Sequence, residues 1–325
     1  MYDVVALGEL LIDFTPSGLS QAGNDLFERN PGGAPANVLA AVSKLGKSSA
    51  FLGMVGRDQF GAFLKEVLES SGIDVSGLKF SETVNTTLAF VHLNERGDRS
   101  FSFYRNPGAD MMLTSDDINY DVLNNSKIFH FGSISMTHEP VRTATLAALS
   151  CAREKGIMIS YDPNLRPPLW KSLEDAKEKI KLGLQYTDIL KISEEELEFI
   201  TGKQNLEKGS AALYDQGISV VLVTMGPKGC FYRYAGGIGR LHTYNTKVID
   251  TTGAGDGFLG GVLYKLSEMS LEDMSSMSRD EFESIIDFGN AVGALATTKK
   301  GAIPAMPGLE EVLECRKNIS LLLCE

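Results

Sequence analysis

Cysteine and histidine are scarce in this chain, four of each in 325 residues. Cys151, Cys230, Cys315 and Cys324 make no Cys-x-x-Cys pair, and His92, His130, His138 and His242 are scattered, so neither a zinc site nor a disulfide framework is expected. No long uncharged apolar run occurs, which argues against a transmembrane helix. Residues 2–9 read as a strand and lack the basic end and longer apolar stretch of a signal peptide, so the expected location is the cytoplasm. Positive charge is in the minority: 31 Lys and Arg stand against 42 Asp and Glu, a net charge of −11. That balance disfavours nucleic acid and anionic membranes as partners. An anionic small molecule would have to be held locally, by backbone amides, a few basic side chains and a metal ion. Repeats and low-complexity segments are absent as well.

What is present is a chain with 43% hydrophobic residues, enough for one large core with an appendage. Short β-branched runs at 4–7, 49–54, 128–131, 158–161, 189–192 and 220–224 alternate with helical patterns at 36–45, 59–70, 140–155, 173–185, 194–201 and 281–298. This alternation predicts the α/β class, with a central, mostly parallel sheet covered by helices on both faces. The Ser- and Met-rich stretch 270–278 is expected to be a surface loop. One interval breaks the pattern: 86–93 and 100–104 flank the turn 94–98 as a β-hairpin. Leu88 and Phe90 lie on one face of its first arm, with Ala89, Val91 and Leu93 on the other. A hairpin apolar on both sides needs cover on both, from a ligand and a second subunit, or from its own domain as an ordinary edge.

The most telling segment is Asp250-Thr251-Thr252-Gly253-Ala254-Gly255-Asp256-Gly257-Phe258. Phe258, Leu259, Val262, Leu263 and Leu266 then recur at helical spacing. Gly253, Ala254 and Gly255 leave their backbone amides open to a ligand, and the start of a helix favours an anion such as phosphate. Asp256 could take the proton of a hydroxyl attacking that phosphate. The competing reading is a plain glycine turn with an N-cap aspartate. Phe258 stands where a dinucleotide fingerprint needs its third glycine. Gly46-Lys47-Ser48 lacks the upstream glycine of a Walker A loop.

Together with Gly32-Gly33-Ala34-Pro35-Ala36-Asn37, this segment resembles the two signatures of the ribokinase/PfkB carbohydrate kinase family, in the same order and over essentially the whole chain. Phe103-Tyr104-Arg105-Asn106-Pro107, Asp162-Pro163-Asn164-Leu165-Arg166 and Lys191-Ile192-Ser193-Glu194-Glu195-Glu196 narrow the resemblance to the fructokinases of bacteria and plants. It implies one ribokinase-like kinase domain over 1–325, with a small β-sheet lid from about 11–30 and 86–106 that pairs in homodimers. It also implies ATP and Mg²⁺, with K⁺ as a further ion. Asp256 would be the general base, with Gly253, Ala254 and Gly255 forming an anion hole. Asp13, Gly32, Gly33, Asn37, Arg105, Asn164 and Arg166 would meet the sugar.

On the nucleotide side the resemblance implies Ser193, Glu196, Thr224, Gly226, Gly229 and Asn290, with Glu196 reaching Mg²⁺ through water. Asp250 and Thr252 would border the monovalent cation, beside the segment around Gly301. Bland readings stand beside these. Ser193 with its glutamates is a good helix start, Asn290 lies on a helix of small residues that could simply pack closely, and either arginine could be a surface ion pair. Two alternatives to a fructokinase follow: a 2-keto-3-deoxygluconate kinase, whose acidic sugar Arg105 and Arg166 would hold, and a non-catalytic binding protein on a kinase fold.

Overall fold

The computed structural model describes residues 1–93 and 99–323; the turn 94–98 and Cys324 lie outside them. The described strands are, in chain order, β1 (Tyr2–Leu7), β2 (Leu11–Leu19), β3 (Asp25–Gly32), β4 (Ser49–Gly56), β5 (Ile73–Ser81), β6 (Leu88–Leu93), β7 (Arg99–Tyr104), β8 (Ser126–Gly132), β9 (Met158–Asp162), β10 (Ile189–Ser193), β11 (Val220–Thr224), β12 (Cys230–Tyr234) and β13 (Gly237–Leu241). Nine of them form one sheet in the order β13-β12-β11-β10-β9-β8-β1-β4-β5. It is parallel from β5 to β11, and β12 then pairs antiparallel with both β11 and the edge strand β13. The apolar runs of the sequence become its inner strands, and every residue of β4 is buried. Such strands are covered on both faces, and β1 makes the division visible. Val4 and Ala6 belong to one core cluster with Leu39, Leu259 and Phe288, while Val5 and Leu7 belong to the other with Phe129, Leu149 and Tyr161.

Helix boundaries follow capping chemistry. Ser172, Ser193 and Ser278 each accept an amide of the first turn that follows them. The same chemistry corrects the loop expected at 270–278. Ser270 and Asp273 close a capping box, and Leu271–Ser276 is helical with Met274 buried beneath it. Ser270 caps the start of this short helix and Ser278 the start of the next, a role that composition alone does not distinguish from a loop.

The remaining strands form a second sheet, β3-β2-β6-β7, which stands over the carboxyl ends of the main sheet. Register pairs Asp13 with Ala89 and Ala89 with Phe103, so these share one face, while Phe14 and Phe90 share the other. On that outer face Phe14 stacks on Phe90 at 4.8 Å, and the Arg29 guanidinium lies 3.7 Å from the centroid of the Phe63 ring. Phe27 and Tyr104 on the same face stay 39% and 66% exposed, so the sheet's own domain covers it only in part.

Asp58 joins the two sheets. It caps the helix Gln59–Ser70 through the amides of Phe60 and Gly61, and also accepts the Thr86 amide and hydroxyl at 2.8 Å each. Burial alone would raise its carboxyl, but these hydrogen bonds outweigh it and hold the group below its ordinary value. Asp58→Ala is expected to cost at least the ~0.5–2 kcal/mol of a lost N-cap. Asp58→Asn, which keeps an acceptor, should cost less. Chemical denaturation of the two variants measures the difference, and equal costs would remove the acceptor argument.

Candidate active site

The helix Ala254–Leu266 begins at Gly253, whose φ of 75° is left-handed backbone that glycine adopts without strain. A Cβ there would also meet that of Ala302 at 2.7 Å. The turn therefore brings the amides of the first helical residues to the end of the main sheet, where they have no intrahelical acceptors. Asp256 sits in that first turn, 7% exposed. Burial pushes its carboxyl above the ordinary range, while Lys191 and a hydrogen bond from Asn37 pull it back. Asn37 comes from the other signature, in the helix Ala34–Lys44, and its Nδ2 donates to Asp256 Oδ2 at 2.7 Å.

These groups line a cavity of about 520 Å³ between the main sheet and the smaller one. Its roof carries Asp13, Val91, Phe101 and Phe103, and its floor carries the 253–256 turn, Asn37, Asn164, Arg166 and Lys191. Gly32 makes room for Asp13, because a Cβ on it would collide with Asp13 Oδ2. Gly33, at φ 124°, packs against the Glu9 carbonyl where no side chain fits. Burial raises Asp13 to about 6, partly opposed by Arg166. Asn164 holds its loop at φ 46°, a rare left-handed position for a residue with a side chain. The Arg166 guanidinium contacts the Leu165 carbonyl at 3.3 Å, and no carboxylate pairs with it among the described residues.

At one end of the cavity Asp250 Oδ1 accepts the Thr252 hydroxyl at 2.7 Å, and its Oδ2 accepts the Gly301 amide at 3.1 Å. The carboxylate thus ties together the two loops that border the glycine turn.

Other expected residues lie elsewhere. Arg105 is not brought to the cavity. Its guanidinium is buried and paired with Asp110 at 2.8 Å, and it donates further to Thr137 Oγ1 and the Ile134 carbonyl. Every nitrogen of it is engaged inside the protein, which removes it as a sugar ligand in this arrangement. Glu196 lies behind the floor, with its two oxygens accepting the Leu165 and Ser193 amides at 2.7 and 2.8 Å. Ser193, Thr224, Gly226 and Gly229 gather at the carboxyl ends of β10 and β11, beside the cavity. Asn290 spends its amide on the carbonyls of Leu241 and His242. Among the described residues no three His, Cys, Asp or Glu come together as a metal cage.

Sequence reasoning gave no role to Glu9, Asp162 or Lys191. Glu9 is 3% exposed, lines the cavity and accepts the Ala34 amide at 2.9 Å. Burial pushes it up to about 7. Lys191 Nζ pairs with Asp162 Oδ2 at 2.8 Å, both side chains being buried. The available signal was a lysine inside the otherwise apolar run Ile189-Leu190-Lys191-Ile192, since a lysine is almost never fully buried without a partner.

Comparison with known proteins bears on this geometry. The chain matches the pfkB family of carbohydrate kinases over residues 1–308. It is 45% identical over 323 residues to fructokinase-2 of Solanum lycopersicum, covering 97% of this chain and 96% of that one. It is 33% identical to the fructokinase of Xylella fastidiosa solved with bound ATP, with a TM-score of 0.91 over 98% and 99% of the two chains. A double mutant of fructokinase from Vibrio cholerae O395, solved with fructose, ADP and a potassium ion, is 35% identical with a TM-score of 0.86 over 96% and 97%. No helix among the described residues is long and apolar enough to cross a membrane. With the family match running over residues 1–308 and 45% identity to a fructokinase over nearly the whole chain, the chain belongs to the pfkB family of carbohydrate kinases.

Proposed function

We propose that this chain is an ATP-dependent fructokinase, making fructose 6-phosphate and ADP with Asp256 as general base. The observation that carries the reading is Asp256 itself, a buried carboxylate held by Asn37 beside the amides of a glycine-opened helix. The sugar lies under the smaller sheet against Asp13, Gly33, Asn37, Asn164 and Arg166. Its 6-hydroxyl oxygen attacks the γ-phosphorus while its proton passes to Asp256, and the bond from that phosphorus to the β–γ bridging oxygen breaks to release ADP. The amides of Gly253, Ala254 and Gly255 meet the charge on the transferring group. The smaller sheet, through β2, β3, β6 and β7, acts as the lid expected over about 11–30 and 86–106, keeping water from the phosphoryl group.

A keto-acid sugar fits less well. Of the two arginines that could hold its carboxylate, Arg105 is engaged with Asp110, and Glu9 and Asp13 add acids to the same cavity. A purely non-catalytic role would leave an intact base and anion hole without purpose.

The nucleotide approaches past Thr224, Gly226 and Gly229, with Asn290 fixing the neighbouring backbone. Mg²⁺ suits the residues present, since among the described residues Asp162 Oδ1 is buried without a partner and each Glu196 oxygen keeps a second lone pair for a bridging water. When bound with ATP it neutralises charge on the phosphate oxygens. K⁺ suits the loops that Asp250 ties together near Thr252 and Gly301. Cys151, Cys230 and Cys315 are free thiols, in keeping with a reducing, ATP-supplied compartment such as the cytoplasm. The half-covered outer face of the lid, with Phe27 and Tyr104, supports a homodimer through that sheet.

A coupled ADP-release assay with Mg·ATP is expected to show turnover on fructose and not on 2-keto-3-deoxygluconate, and to lose rate when choline replaces potassium. Asp256→Asn should lower kcat about 10²–10⁴-fold with an unchanged melting temperature; retained turnover would remove Asp256 as the base. The acid limb of kcat/KM for the sugar is expected near pH 6 to 7, because Asp13 and Glu9 titrate there and lose their acceptor form as pH falls. A profile flat down to pH 5 would contradict it. Light scattering should give a mass near twice 35.2 kDa, and Phe27→Glu with Tyr104→Glu should halve it.

A further inference from the structure

Lys191 occupies a position that the reaction above leaves unused. It extends from β10 into the floor of the cavity, and its side chain is 8% exposed. A Cβ added to Gly255 would lie 3.0 Å from Nζ and 3.4 Å from Cε. The ammonium therefore sits directly against the last of the three residues Gly253, Ala254 and Gly255, and Gly255 has no side chain to shield it.

Its hydrogen bonding is incomplete. An ammonium carries three protons, and Asp162 Oδ2 takes one at 2.8 Å; no other acceptor engages Nζ among the described residues. Asp162 works as a tether, because its carboxylate ends β9, next to β10 in the sheet, and is 1% exposed. Around this one buried cation stand three buried carboxylates, those of Asp162, Glu196 and Asp256. Burial works against the charged lysine, but the three acids outweigh it and keep it protonated. A phosphoryl group carrying negative charge towards Asp256 needs a counter-charge at this point. The half-buried Arg166 lies on the sugar side and leaves Lys191 as the cation under the glycine turn.

We propose that Lys191 is a catalytic residue of the phosphoryl transfer, its ammonium, tethered by Asp162, bonding the transferring phosphoryl group from beneath Gly255. The proposal rests on the kinase reading. It assigns the lysine a direct contact and Asp162 a positioning part. As the attacking hydroxyl gives its proton to Asp256, that carboxylate loses its charge and its hold on the ammonium. The attraction of Lys191 is then free to act on the phosphoryl oxygens when the transfer occurs, in a site where water does not screen it.

The test uses Lys191→Met and, because that change leaves Asp162 buried without its partner, the double variant Lys191→Met with Asp162→Asn. In both, kcat should fall about 10²–10³-fold, the loss typical of one missing transition-state donor. Equilibrium affinity for fructose in both variants, and for ATP in Lys191→Met, should stay within about threefold of wild type, a split that a merely structural lysine would not produce. Affinity for ADP with aluminium fluoride, a mimic of the phosphoryl group in flight, should weaken by a factor similar to the loss in kcat. A folded double variant with kcat within about fivefold of wild type, or with unchanged ADP–aluminium fluoride affinity, overturns the proposal. If the wild type phosphorylates no sugar offered, the substrate reading fails by itself. The aluminium fluoride comparison, made with and without sugar, still decides for or against Lys191.

Discussion

The hydrogen bond from Asn37 to Asp256 joins residues 219 apart in the chain, and the site depends on the close approach of the two helices that makes it possible. A Cβ on Gly260 would lie 2.5 Å from that of Ala41 and 2.8 Å from the Val38 carbonyl. The helices Ala34–Lys44 and Ala254–Leu266 can therefore run in near-backbone contact. Both begin at the same end of the sheet, and both begin at a glycine of positive φ. Packing so tight leaves little freedom for their starting turns to shift apart, so the carboxylate and its amide partner are held by the core rather than by loops.

Electrostatics then sets the character of the cleft. Asp13, Glu9 and Asp256 are all pushed upward by burial, which is the environment a proton acceptor needs and an exposed aspartate lacks. Opposing them are Lys191 and Arg166 on the floor. A protein of net charge −11 can meet an anionic nucleotide through positive potential placed locally, in this strip and in backbone amides. The bulk charge bears on general partners, and the local arrangement bears on the ligand.

Much of this was legible beforehand. The helix 59–70 and the helix 194–201 were read to the residue because their starts are marked by Asp58 and Ser193, whose caps leave a local signature. The two glycine motifs announced their chemistry because backbone geometry demands glycine at Gly33 and Gly253. Arg105 was not legible. An arginine between an aromatic strand and a proline gives no sign of whether it faces a ligand or a buried Asp110 five residues on. Lys191 and Asp162 escaped for the same reason, since their pairing is a contact between neighbouring strands that no sequence spacing records. The helix at 271–276 was hidden by composition, because serine marks caps and loops alike.

The smaller sheet is fastened at its roots. Asp58 grips Thr86 just before β6, and Arg105, just after β7, is buried against Asp110 and Thr137. A roof anchored at both ends can flex without swinging free, and its inner residues Val91, Phe101 and Phe103 are carried on strands other than the elements that hold Asp256, its glycine turn and Lys191. The two halves of the task are thereby uncoupled. Replacements on those inner positions can reshape which sugar is accepted while Asp256 and its surroundings stay as they are. A lineage built this way can explore new acceptors by drift in the roof alone, without passing through forms that have lost the chemistry.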